Sequence, residues 1–116
     1  MINSGKVINI LEFVDVDNCS EISTLAGREY GKLQRGNHNL EELDCNDDVI
    51  TVNIPKNIIF MSSSFFLGMF GESVRKRRDE LSFKEKYVFK CSENVNKNID
   101  NGIFDALNTE SALHHE

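Results

Sequence analysis

The stretch Ile58-Ile59-Phe60-Met61-Ser62-Ser63-Ser64-Phe65-Phe66-Leu67-Gly68-Met69-Phe70-Gly71 decides how this chain is read. An apolar run ends in three serines, and a second apolar run restarts on helical spacing. Phe66, Phe70 and Val74 recur at every fourth position with Phe65 and Met69 beside them, so one face of the second run is apolar throughout. Serine is among the residues that best satisfy the free backbone N–H groups of a helix start. The pattern predicts a helix from Ser64 to about Glu80, opened by a serine elbow. Its basic end, Arg75-Lys76-Arg77-Arg78, complements the helix dipole. Gly68 and Gly71 inside it each cost about 1 kcal/mol relative to alanine, and they are read as a close-contact surface.

Working outward, Val49–Ile54 is the clearest strand, with Ile50, Val52 and Ile54 on one face and Pro55 ending its ladder. Lys6–Val14 is a further strand. Val7, Leu11 and Phe13 fall on one face and Ile8, Ile10 and Val14 on the other, which predicts cover on both sides. Between them, Leu25, Ala26, Tyr30 and Leu33 predict a helix from Ser23 to about Gln34, capped by Ser23 or Thr24. Gly36-Asn37-His38-Asn39 is its stop signal, Leu40–Leu43 one further turn, and Asp44–Asp48 an acidic connection. Downstream, Tyr87–Cys91 is a strand, and Ser92 caps a last helix with Val95, Ile99, Ile103 and Leu107 at every fourth position and Phe104 alongside.

Strands alternating with helices predict an α/β fold, a small, mostly parallel or mixed sheet with right-handed crossovers. Residues 1–108 make a single domain and 109–116 a loose C-terminal tail. Sites in such sheets lie outside the carboxyl ends of the strands, and Ser62, Ser63 and Ser64 are expected at that edge.

The chain has 116 residues, enough for one core without staples. Thirteen Lys plus Arg against nineteen Asp plus Glu give a net charge of −6, which argues against a general nucleic-acid binder and for a partner, if any, that is a protein or a cationic surface. Cys19, Cys45 and Cys91 are odd in number and lack metal-type spacing, so they read as reduced thiols. No apolar run approaches the ~18 residues of a membrane span, and residues 1–6 lack the layout of a signal peptide. A cytoplasmic location is expected.

A strand followed by a serine pair opening an apolar helix resembles the STAS domain of anti-sigma factor antagonists. More closely, the chain resembles the STAS-like family of prokaryotic domains, whose Ser-Ser-Phe…Phe-Gly signature stands here as Ser63-Ser64-Phe65 and Phe70-Gly71. Gly27-Arg28-Glu29-Tyr30-Gly31 occupies the place of that family's small Arg/Gly segment. The resemblance spans roughly residues 5–107 and implies a non-enzymatic regulatory domain that binds another protein. In the antagonists, a serine at this helix start is phosphorylated by a partner kinase of the histidine-kinase-like ATPase type. The matching position is Ser63, with Ser64 second. The implied contact residues are Ser62, Ser63, Ser64 and Arg28. The chain departs from the antagonists in having Ser62 where they place aspartate and Phe65 where they place glycine after the pair. Leu67-Gly68 stands where the STAS-like family often carries acidic residues.

Each of these features has a plainer reading. The serines serve as caps, as a phosphosite or, least, as a nucleophile, since no Gly-x-Ser-x-Gly elbow is present and His38, the only internal histidine, lies in a predicted loop. Gly27–Leu33 is one residue short of a phosphate loop and has Leu33 where a metal-binding hydroxyl belongs, so it is rejected as a nucleotide site. The basic run reads as a solvated helix end, and Phe65, Phe66, Phe70 and Phe104 as core. His114-His115-Glu116 makes no closed metal site. No cofactor or metal is expected. The alternatives are a self-associating module forming a homodimer, and a small-molecule binder at the sheet edge.

Overall fold

The computed structural model describes residues 5–10 and 23–108. Three parallel strands, β1 (Lys6–Asn9), β3 (Ile50–Asn53) and β5 (Tyr87–Lys90), form a sheet in the order β1-β3-β5. A second parallel pair joins β2 (Thr24–Leu25) to β4 (Phe60–Met61). Helices α1 (Arg28–Asn37), α2 (Leu40–Asp44), α3 (Ser63–Arg77), α4 (Glu80–Lys86) and α5 (Glu93–Asn108) alternate with the strands. The result is an α/β fold with a parallel sheet.

Strand residues alternate between the two faces of the sheet. Ile8, Ile50, Val52 and Tyr87 are buried on the inner face. On the outer face Val7 is 58% exposed and its row-mate Val88 39%. The expectation that the first strand is covered on both sides is therefore corrected for its described part, while Leu11 to Val14 lie outside the described residues. Val7 and Val88 supply β-branched strand propensity and no core burial.

The helix predicted after the serines is the centre of the molecule. Phe65, Phe66, Met69, Phe70 and Val74 are all fully buried. Phe70 stacks edge-on against Tyr87 and Phe89 of β5, and α3 packs against both α1 and α5. Two glycines let α1 come close: a Cβ on Gly31 would stand 2.2 Å from the Phe65 carbonyl oxygen, and one on Gly68 would stand 2.2 Å from the Arg28 carbonyl oxygen. Gly71, expected to share that surface, has the side chains of Arg75 and Leu67 nearest to it. Gly102 of α5 leaves room for the Phe66 ring.

Several boundaries differ from the sequence reading, each for a local reason. Leu25 belongs to β2 and is fully buried there, so neither Ser23 nor Thr24 caps a helix. Gly27, at φ 95°, turns the chain into α1 instead. Leu33, placed on the apolar stripe, is 56% exposed, and α1 faces inward through Gly31, Gln34 and Arg35. Helix α3 stops at Arg77 because Arg78 adopts the left-handed conformation at φ 77°. Asp79 then caps α4, accepting from the Ser82 amide at 2.7 Å, and this short helix was not foreseen. In α5, Val95, Ile99 and Ile103 are buried as expected, but Phe104 is 65% exposed and does not belong to the core.

Candidate functional site

The serine elbow is built by β4 and α3. Met61 is held by the Asn98 side chain, whose Oδ1 accepts from its amide at 2.9 Å. The Ser62 amide donates to the Leu25 carbonyl at 2.8 Å, closing the β2–β4 pair. With φ −76° and ψ 156°, Ser62 is extended, half-buried and the N-cap residue: its Oγ accepts from the Phe65 amide at 3.1 Å. Ser63 and Ser64 form the first turn of α3 and are exposed. The three hydroxyls thus divide, one engaged in capping and two facing outward.

Arg28 opens α1, the helix beside α3, and is exposed. Its carbonyl lies against Gly68, so the parallel β2–β4 pair delivers the chain into two helices that start side by side. Ile59 and Phe60, just before the elbow, are 57% and 43% exposed.

The elbow does not lie at the carboxyl edge of the three-stranded sheet, where it was expected. It follows β4, which among the described residues pairs only with β2. The edge of the larger sheet instead carries a cavity of about 630 Å³. The sequence could not separate the two edges, because the short segment Ile58–Met61 looks like a continuation of the strand-to-helix connection.

A polar cluster that the sequence reading passed over ties α1, α2, α3 and β5 together. Asp44, ending α2, has a side chain only 4% exposed. It accepts from Arg35 Nη2 at 2.8 Å, from Ser73 Oγ at 2.8 Å and from the Tyr87 hydroxyl at 2.5 Å. Arg35 Nη1 also donates to the Met69 carbonyl at 2.7 Å, and its Nε to Glu41 at 3.1 Å. Burial works against the Arg35 charge, yet Asp44 and Glu41 outweigh it and hold the guanidinium above its ordinary pKa. Burial, reinforced by the bond to Asp44, pushes the Tyr87 hydroxyl well above its ordinary value. Glu41 is held below the usual carboxylate range by its hydrogen bond with Glu72 and then by Arg35. Lys76, exposed as expected of a solvated helix end, also pairs with Glu41 at 3.4 Å and Asp44 at 3.6 Å.

Nearby, Lys86 Nζ donates to the carbonyls of Asn46 and Asp48. Burial, and next the charge of Arg77, lowers its pKa. The one available signal for this cluster was the spacing of Gly31 and Arg35, which share a helix face. A glycine that marks close approach also marks which arginine goes inside.

Comparison with known proteins adds no relative. No family model, curated protein or solved structure matches the chain. Among the described residues no group of three His, Cys, Asp or Glu could hold a metal ion, and no helix is long and apolar enough to cross a membrane. The C-terminal histidines and Cys19 lie outside the described residues.

Proposed function

We propose that the chain is a STAS-like regulatory domain that acts by binding another protein through the serine elbow, with Ser63 or Ser64 as a phosphorylation switch. The observation that carries this reading is the division among the serines: Ser62 caps α3 while Ser63 and Ser64 stand exposed on its first turn. The first backbone N–H groups of a helix have no intrahelical acceptor. Ser62 answers the Phe65 amide, and the amides of Ser63 and Ser64 remain at the positive end of a 15-residue helix. A phosphate added there brings a charge of about −1.5 to −2 and acceptor oxygens to match those donors. It changes the docking surface without disturbing Phe65 or Phe66 below. Exposed Ile59 and Phe60 supply apolar contact area beside it, and Arg28 supplies a cation at the neighbouring helix start.

The partner fitting this chemistry is a kinase of the histidine-kinase-like ATPase type. The test is incubation of the full chain with ATP and such kinases encoded beside its gene, followed by mass-spectrometric mapping. One phosphate on Ser63 or Ser64, and altered partner affinity of Ser63→Asp, is the expected result. No modification at either serine together with unchanged binding by Ser63→Asp removes the proposal.

A further inference from the structure

The three strands of the larger sheet run out in register. Asn9, Asn53 and Lys90 form one row. Just beyond it, the Ile10 amide donates to the Asn53 carbonyl at 3.0 Å and the Ile54 amide to the Lys90 carbonyl at 2.9 Å. The cavity of about 630 Å³ opens directly at this edge. Cavities of ~300–1,000 Å³ accommodate small organic ligands, and the carboxyl edge of a parallel sheet is where such folds place them.

The lining has two characters. Ile10, Ile54, Pro55 and Phe89 form apolar wall. Asn9, Asn53, Lys56, Lys90 and Cys91 contribute polar groups. Asn53 Nδ2 donates to Asn9 Oδ1 at 3.0 Å, which leaves the Asn9 amide nitrogen as a donor. The chain as a whole carries nineteen acidic against thirteen basic residues. The described lining reverses that balance, with two lysines and no carboxylate. Burial raises the Cys91 pKa, so its thiol stays protonated and adds no negative charge.

We infer that this cavity binds a small amphiphilic anion, its carboxylate or phosphate head held by Lys56, Lys90 and the Asn9 amide and its apolar body against Pro55 and Phe89. A cationic ligand would meet two lysines and no carboxylate in the described lining. A wholly polar one would leave the half-buried Pro55 and Phe89 without apolar contact. Neither the serine elbow nor its modification is needed for this site, so the two proposals stand or fall separately.

The experiment is a titration of the ¹⁵N-labelled full chain, followed by amide chemical shifts. Octanoate and octyl phosphate are the anionic probes and 1-octanol the neutral control, all below micelle-forming concentration. The expected result is saturable shifts at Asn9, Asn53, Lys56, Lys90 and Cys91 with at least one anion, and binding of 1-octanol weaker by about tenfold or more. Which anion binds identifies the head group. A Lys56→Gln, Lys90→Gln double variant, changing two exposed side chains, should retain the native spectrum and lose about tenfold in affinity. Equal binding of octanol and octanoate, shifts centred away from these residues, or saturation by neither anion overturns the inference. The octanol comparison decides the matter even should the double variant fail to fold.

Discussion

Helix α3 carries serine at its start and again at Ser73, in opposite surroundings. Ser63 and Ser64 face outward, and the substructure beneath them is apolar: Phe65, Phe66 and the glycine contact with α1. Ser73 is fully buried, donates to Asp44 and accepts from Arg35 Nη1 at 3.0 Å. The comparison teaches that a hydroxyl-rich motif in sequence and a hydroxyl on which the fold depends are different things. The conspicuous triplet leaves two of its members unused by the fold. The inconspicuous single serine sits where four elements meet.

Asp44→Ala should separate the two regions most sharply. It leaves Arg35, whose side chain is 9% exposed, without its buried partner, and breaking such a pair costs about 3–5 kcal/mol. Urea denaturation should show that loss. A fall of less than about 1 kcal/mol would mean the cluster is solvated and the contrast with the elbow is false.

Tyr87→Phe is the next test and has a pH signature. Losing a buried hydrogen bond to a charged acceptor costs about 1.5–3 kcal/mol. Tyr87 keeps its proton in the folded state above the ordinary value of 10.0. The unfolded chain loses the proton first as pH rises, so this stabilisation is complete below pH 10 and declines above it. Wild type and Tyr87→Phe should therefore converge in stability as the pH is raised beyond 10. A constant gap would place the effect in packing alone.

The smallest effects are expected at the elbow, and they must differ among neighbours. Ser62→Ala removes the cap and should cost about 1 kcal/mol. Ser63→Ala and Ser64→Ala should stay within about ±0.5 kcal/mol. Thermal or urea melts of the three variants check the order. Equal losses at all three would show that Ser63 and Ser64 serve stability, and would sharpen the comparison in the opposite direction.

How much of this was legible beforehand depends on how local the cause is. The core strand Ile50–Asn53, the apolar face of α3 and the Val95–Ile99–Ile103 stripe of α5 were readable because burial repeats with the period of the element itself. The cap at the serine elbow was readable as a place, since a free helix start calls for serine chemistry wherever it stands. Leu33 and Phe104 were misread for the same reason in reverse: apolar periodicity says which residues share a face and not whether a neighbouring element covers it.

The sequence by itself determined the alternating α/β order, the centrality of the Phe-rich helix and the serine start of that helix, because each follows from propensity and periodicity over a few residues. Only the tertiary structure decided that Ser62 caps and Ser63 and Ser64 do not. The same is true of the elbow's place on the β2–β4 pair, with a cavity holding the larger sheet's edge, and of Arg35, Ser73 and Tyr87 meeting at Asp44. Those outcomes depend on which segments approach one another. The approach is set by the close fit of Gly31 and Gly68 between α1 and α3, a relation between residues far apart in the chain that no local pattern records.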